Sequence, residues 1–113
     1  MADPRLPTDM WVRAHIRRLS TLGKPIAVLR RGEPVGGLVV VRINTLGEGT
    51  LILSQTRDID GNIAWLAAHA GKRVPDSEAD AYVERAVKRD PDLWVVEVED
   101  RTGGNPFEGR ILV

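Results

Sequence analysis

The sequence predicts an α+β fold. A mostly antiparallel sheet of about five strands carries two amphipathic helices in a two-layer arrangement, in the order α-β-β-β-β-α-β. Three observations point there. Asp90-Pro-Asp-Leu-Trp-Val-Val-Glu-Val-Glu-Asp-Arg101 ends a helix and then alternates Trp94, Val96 and Val98 with Val95, Glu97 and Glu99, the pattern of a strand with one apolar face. Leu38-Val-Val-Val-Arg-Ile-Asn44 is almost continuously apolar, as a central strand is. Residues 9–22 and 76–88 each place apolar side chains at helical spacing.

Each element has its own local reason. Pro4 and Pro7 make residues 1–7 an extended lead-in. Thr8 is a good N-cap with Asp9 in the first turn, and Gly23, Lys24 and Pro25 end the first helix. Its stripe is Trp11, Val12, Ile16, Leu19 and Leu22, with Arg13, Arg17 and Arg18 off it. Ile26-Ala-Val-Leu-Arg30 is the first strand, and Arg31-Gly-Glu-Pro-Val-Gly-Gly37 is turn material. Thr50-Leu-Ile-Leu-Ser-Gln-Thr56 is the third strand. Asp60-Gly61 signals a two-residue hairpin into a fourth strand over Asn62-Ile-Ala-Trp-Leu. A short helix over residues 63–70, favoured by the alanines there, is the alternative. Ser77-Glu-Ala-Asp80 has the form of a capping signature, and Arg85, Lys88 and Arg89 complement the end of the second helix. Residues 102–113 read as a Gly- and Pro-containing tail.

Composition narrows the possibilities. A chain of 113 residues, 42% hydrophobic and 28% charged, suits one globular domain spanning 1–113. Cysteine is absent, which removes disulfides, thiolate zinc sites, iron–sulfur clusters and cysteine nucleophiles. The start, Met-Ala-Asp-Pro-Arg, lacks the apolar stretch of a signal peptide, and no run approaches the roughly 20 apolar residues of a membrane span. A cytoplasmic protein with no membrane contact is expected. Net charge is zero but uneven. Residues 1–31 carry seven bases against two acids, and residues 76–100 carry nine acids against three bases. Either the two segments neutralise each other across the fold, or each forms a face for an oppositely charged partner.

The Asp-Pro-Asp-Leu-Trp run, together with Val28-Leu-Arg-Arg-Gly32 and the helix from Trp11 to Arg18, resembles a small bacterial family catalogued as domain-of-unknown-function 1491. The likeness spans residues 6–101. It implies no reaction, cofactor or metal.

Candidate chemistry is sparse. Glu97 and Glu99 share a strand face about 7 Å apart, a spacing that suits divided acid and base roles in a small hydrolase or transferase. The alternative is an exposed sheet face or cross-strand pairing with Arg42 or Arg30. His15 sits beside the apolar stripe and reads as a packed histidine, a weak catalytic candidate, while His69 reads as a surface residue. Ser20, Ser54 and Ser77 occupy no nucleophile-elbow sequence. Arg13, Arg17, Arg18, Arg30 and Arg31 are the binding candidates, as a nucleic-acid or phosphate surface or as a face pairing with acids of the second helix. A neutral chain with 4% aromatics favours the second use. The leading expectation is a non-enzymatic accessory or protein-interaction module, acting with a protein partner or as a homodimer, without metal or cofactor.

Overall fold

The computed structural model describes residues 6–112. Most of the expected lead-in, residues 1–5, lies outside them, as does Val113. Two helices and six strands form the fold: α1 (Thr8–Thr21), β1 (Ile26–Arg30), β2 (Val39–Asn44), β3 (Thr50–Arg57), β4 (Ile63–Ala67), α2 (Asp76–Arg89), β5 (Trp94–Glu99) and β6 (Arg110–Leu112). No helix among the described residues is long and apolar enough to cross a membrane.

The strands make one mixed sheet in the order β1-β5-β2-β3-β4-β6. Pairs β1/β5, β2/β3 and β3/β4 are antiparallel, whereas β2/β5 and β4/β6 are parallel. The predicted five-strand sheet lacked β6, which the expected tail supplies. Strand β5 lies between β1 and β2, and the 31–38 connection packs on the turn before β5.

The helices do not share a face, and this corrects the two-layer expectation. Val39, Val41 and Ile43 of β2 pack with Trp11, Val12 and Leu19 of α1, alongside Trp65, Trp94, Val96 and Val98. Val40 points the other way and packs with Ile52, Leu93 and the Ala79 and Ala86 of α2. Successive strand residues face opposite sides, so the order is helix, sheet, helix. The unbroken apolarity of β2 required cover on both faces, not only a central position.

Local signals were redirected more often than lost. Thr8 is the first helical residue, behind Pro7. Its hydroxyl donates to the Gly37 carbonyl at 2.7 Å instead of capping, while the Thr8 and Asp9 N–H groups donate to the carbonyls of Val35 and Pro34. In α2, Pro75 occupies the N-cap position without a side-chain cap. The expected Ser77–Asp80 box does not form because Asp80 is held by Arg42. The β3–β4 connection runs through Asp58 and Asn62, with only Gly61 left-handed (φ 83°), so it is a longer loop than the expected two-residue turn. Residues 63–67 are strand, which settles the helix alternative up to Ala67. Ala68–Gly71 is a single tight turn in which His69 and Ala70 are left-handed (φ 56° and 55°).

The supposed tail completes the α1 core. Phe107 is buried against Trp11 and Trp65, with ring centroids 5.4 and 5.9 Å away. Glu108 accepts the Trp11 indole N–H on Oε1 at 2.9 Å and the Trp65 indole N–H on its carbonyl at 2.8 Å.

Candidate functional site: the cleft beside the second helix

Strand β2 presents Arg42 on the α2 side of the sheet, directly beside Glu97 of β5. The arginine side chain is only 9% exposed. A buried guanidinium needs countercharge, and three carboxylates supply it. Asp80 receives an Nη1 hydrogen bond, Asp76 lies 3.7 Å from Nη2, and Glu97 lies 3.5 Å from Nε. Thr50 fixes the start of α2 in turn: its hydroxyl donates to Asp76 at 3.0 Å, and its backbone bonds twice with Val74.

Beside this network α2 leaves a cleft of about 460 Å³, lined by Arg42, Asp80, Val83, Glu84, Val87 and Lys88. Val83 and Val87 are half-buried, while Glu84 and Lys88 are exposed. Helical spacing explains the set, since residues 80, 83, 84, 87 and 88 form one flank of α2. On the other flank, Ser54 and Tyr82 share a hydroxyl hydrogen bond of 2.9 Å beside a smaller hollow of about 130 Å³.

The paired-carboxylate candidates diverge. Glu97 meets Arg42, one of the two pairings open to it from the sequence. Glu99 has no side-chain partner among the described residues; its backbone N–H donates to Pro25. The histidines are held apart, His15 within the α1 aromatic cluster and His69 against the Tyr82 ring. Burial and the neighbouring Arg18 lower the His15 pKa, with Glu108 opposing them. His69 is half-buried, with Nδ1 out of solvent and unpaired.

The arginine candidates do not gather into one surface. Arg13 pairs with Asp9 of its own helix at 3.2 Å, and Arg18 donates to Pro106 and contacts His15. Arg17 is exposed with no side-chain partner among the described residues. Arg30 donates to the Pro91 carbonyl at 2.7 Å, and Arg31 lies over the Trp94 ring at 5.6 Å. The sheet separates α1 from α2, so pairing of the α1 arginines with α2 acids is ruled out by position. Between the basic and acidic segments, Lys24 and Asp100 meet at 2.7 Å. Lys24 and Thr102 hold the Asp100 carboxyl down to about 2.

Sequence reasoning singled out Glu97 and offered Arg42 as one of its two possible partners but missed Asp76 and Asp80. A lone arginine inside an apolar strand was the available signal, because it demands more than one exposed acid.

Comparisons with known proteins agree with this architecture. No curated protein matches the chain. A family model described as "Protein of unknown function (DUF1491)" matches residues 6–108, and so includes Phe107 and Glu108. The crystal structure of a DUF1491 family protein from Caulobacter crescentus CB15 is 34% identical, with a TM-score of 0.83 over 96% of this chain and 100% of that one. An NMR structure of a DUF1491 family protein from the same organism is 36% identical, with a TM-score of 0.80 over 96% and 97%. The solution structure of protein Atu0922 from A. tumefaciens is 28% identical, with a TM-score of 0.72 over 86% and 87%. Matched over residues 6–108, from the first helix to the Phe107 that closes its core, this chain belongs to the DUF1491 family.

Proposed function

We propose that the chain is a non-enzymatic protein-interaction module whose partner docks in the cleft beside α2. The observation that carries this reading is the commitment of Arg42 to Asp76, Asp80 and Glu97. These charges hold one another and α2, and none stands as a free acid or base beside a nucleophile. Next to them the wall is Val83 and Val87, and the ionisable side chains Glu84 and Lys88 stand at the edge. An apolar recess with a charged rim is the anatomy of a docking surface.

Val87→Glu tests the reading by placing a charge on the apolar wall. Arg17→Glu, on the opposite side of the sheet, is its control. The wild-type protein and both variants, matched for thermal stability, are used to capture proteins from host-cell lysate. A species captured by the wild type and by Arg17→Glu, and lost with Val87→Glu, is the expected result. Capture that survives Val87→Glu or fails only with Arg17→Glu removes the cleft from consideration.

A further inference from the structure

Resting on that reading, we propose that the occupant of the α2 cleft is a basic segment of a partner protein. A Lys or Arg stem lies along Val83 and Val87, and its charged end sits among Glu84, Asp80 and Glu97. The argument begins with a charge imbalance. The lining itself balances, Arg42 and Lys88 against Asp80 and Glu84, and the further Arg42 partners Asp76 and Glu97, beside the cleft, leave the surroundings with a surplus of two acids. Arg42 is almost entirely buried, whereas the side chains of Asp76 and Asp80 are 74% and 65% exposed. Arg42 therefore lies at the bottom, and at the opening Asp76, Asp80 and Glu84 stand with the single cation Lys88. An approaching group meets more negative than positive charge there.

Long basic side chains match both parts of this surface. Their methylene stems cover apolar area while the charged end stays with polar groups. An acidic segment would meet the surplus as repulsion. A purely aliphatic one would bury the carboxylates without countercharge. Lys88, one helical turn beyond Glu84 and without a side-chain partner among the described residues, adds a direction. It disfavours a second basic residue at that end, so the basic side chain of the partner lies toward Glu84 and a neutral or acidic residue toward Lys88.

The probes are three fluorescein-labelled, amidated peptides in which Leu alternates with Lys, with Glu or with Ser. Anisotropy is read at low salt and at about 0.5 M salt, where screening acts over only a few ångströms. The expected result is saturable binding of the Lys peptide alone, weakened about tenfold by the high salt and about tenfold by Glu84→Gln combined with Glu97→Gln, about 1.4 kcal/mol each. Glu48→Gln combined with Asp60→Asn, which keeps the same net charge as the cleft variant, leaves binding unchanged. Amide shifts on binding map to Val83 and Val87. Equal binding of the Glu or Ser peptide overturns the proposal, as does Lys-peptide binding indifferent to the cleft variant. Salt-sensitive self-association relieved by Arg17→Glu also overturns it, because the occupant would then be the basic α1 face of a second copy. If Val87→Glu abolishes capture of a partner whose docking segment is not basic, this inference fails while the interaction-module reading stands. Capture that survives Val87→Glu fails both.

Discussion

A Cβ on Gly32 would lie 2.2 Å from the carbonyl oxygen of Asp92. The same oxygen would be 2.5 Å from a Cβ on Gly37, and it accepts the Glu33 N–H at 3.0 Å. Glu33 answers by accepting the Trp94 indole N–H on its carbonyl at 2.8 Å. The Leu-Arg-Arg-Gly stretch and the Asp-Pro-Asp-Leu-Trp stretch are thus two sides of one packed joint, and this joint positions β5 beside β2. Gly32→Ala forces backbone apart, at an expected cost of about 1–3 kcal/mol. Gly36→Ala, with nothing within 4 Å of its Cβ position, is expected to stay within about 0.5 kcal/mol of wild type. Urea unfolding of the two variants checks the contrast. Equal midpoints would mean that the joint yields freely.

This joint also shows what the sequence made legible. The period-two run 94–99 was readable as a strand because its own residues determine which side is apolar. Its place between β1 and β2 was not, because that depends on a backbone-to-backbone approach that leaves only small residues as a trace. The same division holds at the candidate site. Glu97 stood out by strand alternation, and its partner Arg42 was open to view one strand away. Asp76 and Asp80 looked like ordinary acids in a first helical turn, which the helix dipole favours in any case. Only the placement of α2 over β2 turned them into the countercharge of a buried arginine. The polarity of the chain was visible in the sequence too, but not that the sheet would stand between its basic and acidic helices.

The segment after Gly103 is expected to behave as core. Phe107 is 6% exposed among Trp11, His15 and Trp65. Phe107→Ala should cost about 3 kcal/mol, the low end for a buried aromatic. Glu108→Ala removes the acceptor of the Trp11 indole and is expected to cost about 1 kcal/mol, while Glu108→Gln keeps an acceptor and costs less. Denaturant midpoints rank the three. A Phe107→Ala variant as stable as wild type would show that the segment only rests on the surface.

Arg42 offers a different contrast, between removing a buried charge and stranding it. Arg42→Met replaces the guanidinium with a shorter apolar chain and frees Asp76 and Asp80, which are mostly solvated, and the less exposed Glu97. Its expected effect is within about 1 kcal/mol. Asp80→Asn combined with Glu97→Gln leaves the guanidinium buried with Asp76 alone, 3.7 Å away, and is expected to cost about 2–3 kcal/mol. Thermal unfolding of both at pH 7 decides the order. The reverse order would mean that the arginine contributes packing that methionine cannot replace.

His15 gives the fold a pH dependence whose sign follows from its neighbours. Arg18 donates to Nδ1 at 2.9 Å, which makes that nitrogen the acceptor and leaves the proton on Nε2, 3.7 Å from Glu108. A second proton would have to take Nδ1 against the guanidinium, inside a cluster formed by Trp11 and Phe107. Burial and Arg18 outweigh the Glu108 carboxylate, so the folded pKa lies below the ordinary histidine value of 6.5. The unfolded chain then binds the proton first as pH falls. Stability is complete above 6.5, declines as pH drops through that value, and levels off below the folded pKa. Asp100 acts in a separate window. Its carboxyl is depressed from 3.8 to about 2, so its contribution is complete above 3.8 and is lost between there and about 2. With Lys24 38% exposed, that contribution is at most about 1 kcal/mol. Urea midpoints measured between pH 8 and pH 5 should therefore fall on acidification, at about 0.1 M salt. His15→Phe, which keeps a ring beside Trp11 and Phe107 but cannot titrate, should flatten that slope and leave the decline below pH 4 in place. A slope unchanged by His15→Phe would assign the acid sensitivity to another group.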